Sequence, residues 1–187
     1  MVLPPLSSAI DIRPIARFDE SYDVLWRRAS RKFTYSLDKT ATYLNWRYVD
    51  CPTMKPFCLG LFDEQEELSG IVVAASYVRR DRHGHLCGTD GELLELIADV
   101  PPGEALEQLI IAAMRALSRA GVDEVGVTGL HVDYHAVLRK LGFVHQRNDR
   151  FGVVLMLEPG HHIESLCSDE ASYTTAGDGD ALYAIAI

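Results

Sequence analysis

No hydrophobic run in this sequence approaches the ~20 apolar residues that a membrane-spanning helix needs. No basic stretch precedes an apolar one between Met1 and Leu6, so no secretory leader is expected. Cysteine is sparse: Cys51, Cys58, Cys87 and Cys167 form no CxxC pair. That argues against a zinc site or disulfide framework and suits reduced thiols in a cytoplasm. Positive charge is also short, with 18 Lys and Arg against 27 Asp and Glu and a formal net charge of −9. General nucleic-acid binding rests on neutralising phosphates with Lys and Arg, so no nucleic-acid partner is expected. The chain also lacks internal repeats, low-complexity tracts, a GxSxG elbow, a P-loop and a Rossmann fingerprint.

Metal chemistry has little support. His131 and His135 are four apart, but no third ligand is placed and no HExxH occurs, so an exposed helix face is the expected role. Asp178 and Asp180 form a D-x-D fragment without the other ligands of a calcium loop.

What is present is a globular composition, 48% hydrophobic and 24% charged over 187 residues. One domain is expected over residues 1–160. A polar tail, 161–187, is expected to pack back on it. Ile10 to Ile15 suggests a first strand, ended by Pro14. Asp19 is placed to cap an amphipathic helix carrying Tyr22, Leu25, Trp26, Ala29 and Phe33. Asp38 is the expected cap of a second helix through Tyr43, Leu44 and Tyr48, which must end before Pro52. Phe57–Phe62, Ile71–Val78 and Leu93–Val100 read as an antiparallel meander with a hairpin at Arg79–Gly84.

After Pro101 and Pro102, a stripe of Leu106, Leu109, Ile110, Ala113, Met114 and Leu117 predicts a helix closed by Gly121. Val122–Thr128 follows as a strand, so the unit is a crossover with parallel strands. A helix over His131–Leu141 ending at Gly142 and a last strand over Phe151–Leu157 complete the order. The fold class is α/β (α+β), with a mixed, largely antiparallel sheet, a β-α-β crossover and helices on both faces.

This order resembles the GNAT acetyltransferase superfamily. Leu138-Arg-Lys-Leu-Gly-Phe143 looks like its late helix-to-strand junction. Asp23-Val-Leu-Trp26, Tyr43-Leu-Asn-Trp-Arg-Tyr48 and Pro52, with Tyr173-Thr-Thr-Ala-Gly-Asp-Gly-Asp180 at the end, resemble a bacterial GNAT-like group. The resemblance implies acetyl-CoA as cofactor, its pyrophosphate on the amides of the helix after the fourth strand. Ile97, Ala98, Val100 and Gly103 are the corresponding cofactor-binding candidates. The superfamily's Arg/Gln-x-x-Gly-x-Gly/Ala signature is missing from Ala98-Asp-Val-Pro-Pro-Gly-Glu-Ala105. Prolines remove amide donors there, and Asp99 and Glu104 oppose an anion, so weak binding is expected.

For catalysis, the resemblance points to Glu95 as base, on a strand side shared with Leu93, Ile97 and Asp99. The superfamily's acid position is Leu138, which has no proton to give, and Tyr134 lies one turn earlier. Trp46, Arg47 and Tyr48 are substrate-binding candidates, with Arg47 able either to hold an anion or to pair with Asp50. Tyr173 joins them if the tail folds back and Asp178 and Asp180 meet Arg47. Two basic clusters, Arg27-Arg28-Arg31-Lys32 and Arg79-Arg80-Arg82, are either solvated faces or a phosphate site. The functions implied are acetyl transfer to a small amine, such as an amino sugar or glycan precursor, or a non-catalytic recognition module. A second GNAT domain or a homodimer is the implied macromolecular partner, and no membrane partner is expected.

Overall fold

The computed structural model describes residues 3–128, 130–144, 172, 173, 175 and 178. Its strands are β1 (Asp11–Pro14), β2 (Tyr35–Ser36), β3 (Phe57–Phe62), β4 (Leu68–Arg80), β5 (Leu86–Ala98), β6 (Glu124–Val127) and β7 (Ser172–Tyr173). Its helices are α1 (Glu20–Ala29), α2 (Ala41–Leu44), α3 (Glu104–Arg119) and α4 (His135–Lys140). The main sheet is ordered β1-β3-β4-β5-β6, antiparallel as far as β5 and parallel between β5 and β6. A small second sheet pairs β2 with β7 in parallel. The expected strand over Phe151–Leu157 lies outside the described residues.

Helix α1 starts where Asp19 accepts from the Ser21 amide, and it buries Tyr22, Leu25, Trp26 and Ala29. That face lies on β4 and β5. Helix α3 covers the other side of the sheet. Leu106, Leu109, Ile110, Ala113 and Leu117 are all fully buried, the leucines and Ile110 each being worth roughly 1.5–3 kcal/mol of transfer free energy. Gly91 of β5 lets α3 approach closely, since a Cβ there would stand 3.0 Å from Leu117 and Val122. Gly121 ends the helix with φ +78°, a left-handed conformation that glycine takes without strain.

Two local expectations need correction. The second helix is capped by Thr40, whose hydroxyl accepts from the Tyr43 amide at 3.2 Å. Asp38 instead accepts the Trp26 indole N–H at 2.9 Å. The later helix opens as a 3-10 turn, Val132–Tyr134, and His131 is buried beside Phe33 rather than exposed.

Asp23, Trp26 and Asn45 join the two N-terminal helices. Asp23 accepts from the Ala41 amide at 2.7 Å, and Trp26 bonds Asp38. Asn45 exchanges two bonds with the Phe18 main chain at 2.9 and 2.8 Å. Together they tie α1 to α2, which fixes the cover over one face of β5.

Candidate functional site

Strand β5 carries a bulge. Val73 pairs with Glu95 and Ala74 with Leu93, so Leu94 is the extra residue. On the α3 side lie Gly70, Val72 and Ala74 with their partners Ala98, Leu96 and Leu93, as the contact between Gly70 and Leu109 establishes. The opposite face holds Ile71, Val73 and Ala75 with Ile97, Glu95 and Glu92. Simple alternation therefore misplaces Leu93, which faces away from Glu95. Glu92 and Glu95, three apart, share a face because the bulge shifts the pleat by one residue.

Glu95 is fully buried, and its Oε1 collects three donors. Lys39 Nζ lies at 2.7 Å, Tyr48 OH at 2.9 Å and Thr175 Oγ1 at 3.0 Å. Lys39 is equally buried and also reaches Asp178 Oδ1 at 2.5 Å and Thr175 Oγ1 at 3.0 Å. The threonine hydroxyl accepts from the ammonium and donates to the carboxylate. Burial pushes the Glu95 carboxyl above the ordinary carboxylate range; the Lys39 ammonium opposes this and Asp178 adds to it. Tyr48 is pushed well up by burial and then by Glu95.

Asn45–Val49 winds as a π-helix, with the Asp50 amide reaching back to the Asn45 carbonyl at 2.8 Å. This turn buries Arg47 and Tyr48 together, while Trp46 points outward, 62% exposed, with its ring against Tyr43. Asp50 pairs with Arg17 rather than Arg47, at 2.9 and 3.0 Å. Tyr173 is placed by the pairing of β7 with Ser36. The cation that meets Asp178 is Lys39, not Arg47, and Asp180 lies outside the described residues.

The β5–β6 ladder ends at Leu93 and Val127, although β5 runs on to Ala98. The strands part there, directly beyond Glu92. At the far end of this opening the Tyr134 hydroxyl accepts from the Ala98 amide at 3.3 Å, and Lys32 Nζ donates to the Ala98 carbonyl at 3.1 Å. Burial raises Tyr134 to about 12, so the hydroxyl keeps its proton at neutral pH. Ile97 is fully buried on the α1 face; by alternation its main chain bonds toward β4. Val100 is half-buried against the core.

Does this edge fit a CoA pyrophosphate? The first bond of α3 runs from the Glu107 amide to the Gly103 carbonyl, and Gly103 supplies no side-chain cap. The amides of Glu104, Ala105 and Leu106 have no acceptor among the described residues. They form a donor set at the positive end of the helix dipole. Of the two acids expected to oppose the anion, Asp99 pairs with Arg28 at 2.8 Å, whereas Glu104 is exposed and has no cation partner among the described residues; Glu107 pairs with Lys140 at 2.5 Å. The backbone thus fits an anion, and Arg28 of the first basic cluster balances Asp99.

Glu92 was not legible as a site residue. It accepts from the Thr128 hydroxyl at 2.9 Å and lines a pocket of about 90 Å³ with Thr53, Lys55, Ser76, Tyr77 and Leu94. A larger cleft of about 370 Å³ lies beyond Met54 and Lys55, between Tyr48, Cys51, Ile15 and Phe57. Lys39 gave no signal either, since a lysine in a polar stretch is ordinarily exposed. The T-x-x-D spacing of Thr175 and Asp178 was a readable cue: the Thr175 amide donates to Asp178 Oδ2 at 2.9 Å, as in a capping turn. No group of metal-ligating side chains occurs among the described residues, and none of their helices is long and apolar enough to cross a membrane.

No known family profile matches the chain, and neither does any curated protein. Solved structures do. An aminoglycoside N-acetyltransferase in complex with CoA superposes with a TM-score of 0.55 at 16% identity, over 81% of this chain and 99% of that one. An aminoglycoside acetyltransferase from an uncultured soil sample, solved with sisomicin, gives 0.55 at 15% identity, over 79% and 97%. A GNAT family acetyltransferase from Staphylococcus aureus gives 0.53 at 9% identity, over 78% and 99%. The fold is that of the GNAT acetyltransferases.

Proposed function

We propose that the protein transfers an acetyl group from acetyl-CoA to a small primary amine. The observation that carries this reading is the parting of β5 from β6 after Leu93, beside α3 amides that have no acceptor among the described residues, in a GNAT fold. Acetyl-CoA supplies an activated thioester. The amides of Glu104, Ala105 and Leu106 bind its pyrophosphate, and its arm lies along β5 beyond the last rung with β6. Glu92 lines the pocket at the last rungs of the ladder, binds the acceptor ammonium and accepts the proton it must lose before the amine attacks the thioester; the pocket is small enough to take an amino group and its carbon. Glu95 is the base in reserve, held by Lys39 and Tyr48. Tyr134 keeps a proton at the edge where a leaving thiolate needs one. An amino sugar or glycan precursor is the proposed acceptor class, supported by the aminoglycoside acetyltransferases among the similar structures. The cytoplasm is the proposed compartment.

A second reading has its own observation. Both main-chain groups of Ala98 are engaged, and Glu95 has no solvent exposure. A GNAT-like module that recognises an amine or a partner domain, with a degenerate acyl-CoA site, accounts for both. Calorimetric titration of the full chain with acetyl-CoA separates the two. The enzyme reading expects binding weaker than about 1 μM, or less than about 8 kcal/mol. Absence of heat up to millimolar cofactor sinks it in favour of the module.

A further inference from the structure

The pocket that holds Glu92 and the larger cleft share a wall, because Met54 and Lys55 line both. Their linings differ in chemistry. The pocket offers the Glu92 carboxylate with Thr53 and Ser76. The cleft of about 370 Å³ is walled by Ile15, Val49, Met54, Pro56 and Phe57, with no acid among the described residues that line it. That volume is in the range of small-molecule sites, roughly 300–1,000 Å³. The polar groups of the cleft are engaged or weak. The Tyr48 hydroxyl donates to Glu95 at 2.9 Å, and the Ile15 amide donates to the Cys58 carbonyl at 2.9 Å. Cys51 and Cys58 add thiols, which are poor hydrogen-bonding groups. Burial pushes the Cys58 thiol up to about 12, so it stays protonated and uncharged. The cation on the shared wall is Lys55, exposed and without an anion partner among the described residues.

We propose that the cleft seats the body of the acceptor, and that this acceptor is a monoamine with an apolar group beside its amine-bearing carbon. The consequence for turnover rests on the acetyl-transfer reading, whose acceptor class it narrows to members carrying such a group. The amino group enters at Glu92, and the rest of the molecule passes Met54 into the cleft. Hydroxyls carried into the cleft would give up water for walls that return few hydrogen bonds, which is costly. An apolar group gains by the same transfer. Lys55 stands on the wall that a second ammonium would have to pass, so like-charge repulsion selects against diamines and polyamines. Specificity thus comes from one attractive surface and one repulsive charge.

Binding can be tested without cofactor, by chemical-shift titration of the full chain with n-propylamine, n-pentylamine and n-heptylamine. Affinity should rise about tenfold for each two methylenes added, until the cleft is filled. Glucosamine should bind no more tightly than n-propylamine. Ala16 is an exposed residue of the lining, and Ala16→Trp should fill the cleft and abolish the gain with chain length. Cadaverine should bind at least about tenfold more weakly than n-pentylamine, and Lys55→Glu, at an exposed position, should narrow that gap. A flat series in the parent chain overturns the proposal, as does a gain that survives in folded Ala16→Trp. An unchanged cadaverine gap in Lys55→Glu overturns the role given to that lysine, whether or not the tryptophan variant folds. Failure of acetyl-CoA to bind would leave these affinities unchanged. Acetylation of n-propylamine alongside a flat series would sink the cleft and spare the acetyl-transfer reading.

Discussion

The two faces of strand β5 are buried by different chemistry. Toward α3, Leu93, Leu96 and Ala98 meet Leu106, Leu109 and Leu117, with no titratable side chain in the core of the contact. Toward α1, Thr175 and Asp178, the same strand presents Glu92 and Glu95, and one of them is satisfied by a lysine with no solvent exposure. The first face draws its stability from area removed from water and close packing. The second face bears the desolvation of at least two charges, which their mutual attraction offsets only in part. A fold needing stability alone would make both faces like the first; on the proposed reading, the polar face is the one turned to the acceptor.

The largest effect should come from Lys39→Met, which leaves Glu95 and Asp178 buried without their cation. Breaking a buried pair this way costs about 3–5 kcal/mol, read as a lower denaturation midpoint. Replacing Glu95 and Asp178 by Leu in the same chain should recover much of that loss. No recovery would mean that the polar face contributes to stability after all, and the contrast between the faces would fail.

On the apolar face, Leu109→Ala should cost about 2–4 kcal/mol through lost transfer energy and a residual cavity. Its effect should not change between about pH 5 and about pH 8, because no titrating group packs there. A pH-dependent loss would show that the faces are coupled.

Glu95→Gln should cost less, about 1–2 kcal/mol, because the amide oxygen still accepts and Asp178 still pairs with Lys39. Its pH dependence is the sharper reading. The Glu95 carboxyl is raised by burial, so its contribution is whole below the ordinary carboxylate range and is lost as pH rises through the raised value. The stability gap between the parent chain and Glu95→Gln should therefore narrow in urea titrations as pH rises above the ordinary carboxylate range. A widening gap would show that Lys39, not burial, governs the carboxyl.

The smallest change concerns the cover of the polar face. Asp19→Ala should lower stability by about 1 kcal/mol by removing the cap of α1. The Ser21 hydroxyl holds the Asp19 carboxyl below its usual range, so this loss should be full at neutral pH and fade as pH falls through that depressed value. An equal loss at acid pH would assign the effect to something other than the ionised cap.

Much of the fold was readable because its signals are local. The stripe from Leu106 to Leu117, the Asp19 cap, Gly121 after α3 and the run Phe57–Phe62 each depend on neighbours within a turn or a strand. The α2 cap was misread for the same kind of reason. Asp38 and Thr40 are both good caps, and only the position of the Trp26 indole decides that Asp38 is used elsewhere. At the site, Glu95, Tyr48 and Tyr134 were named from resemblance, whereas Glu92 and Lys39 were missed.

By itself, then, the sequence determined the order of the main-sheet strands and the long helices as far as Gly142, the parallel crossover and the apolar face of the sheet, since periodicity and turn chemistry act over a few residues. Tertiary structure alone decided which acids share a face, because the extra residue at Leu94 has no mark in the residue types and shifts every side chain beyond it. It also decided that a lysine is buried. The partners that make this tolerable, Glu95 and Asp178, stand 56 and 139 positions away along the chain, and a charge leaves water only where such partners converge.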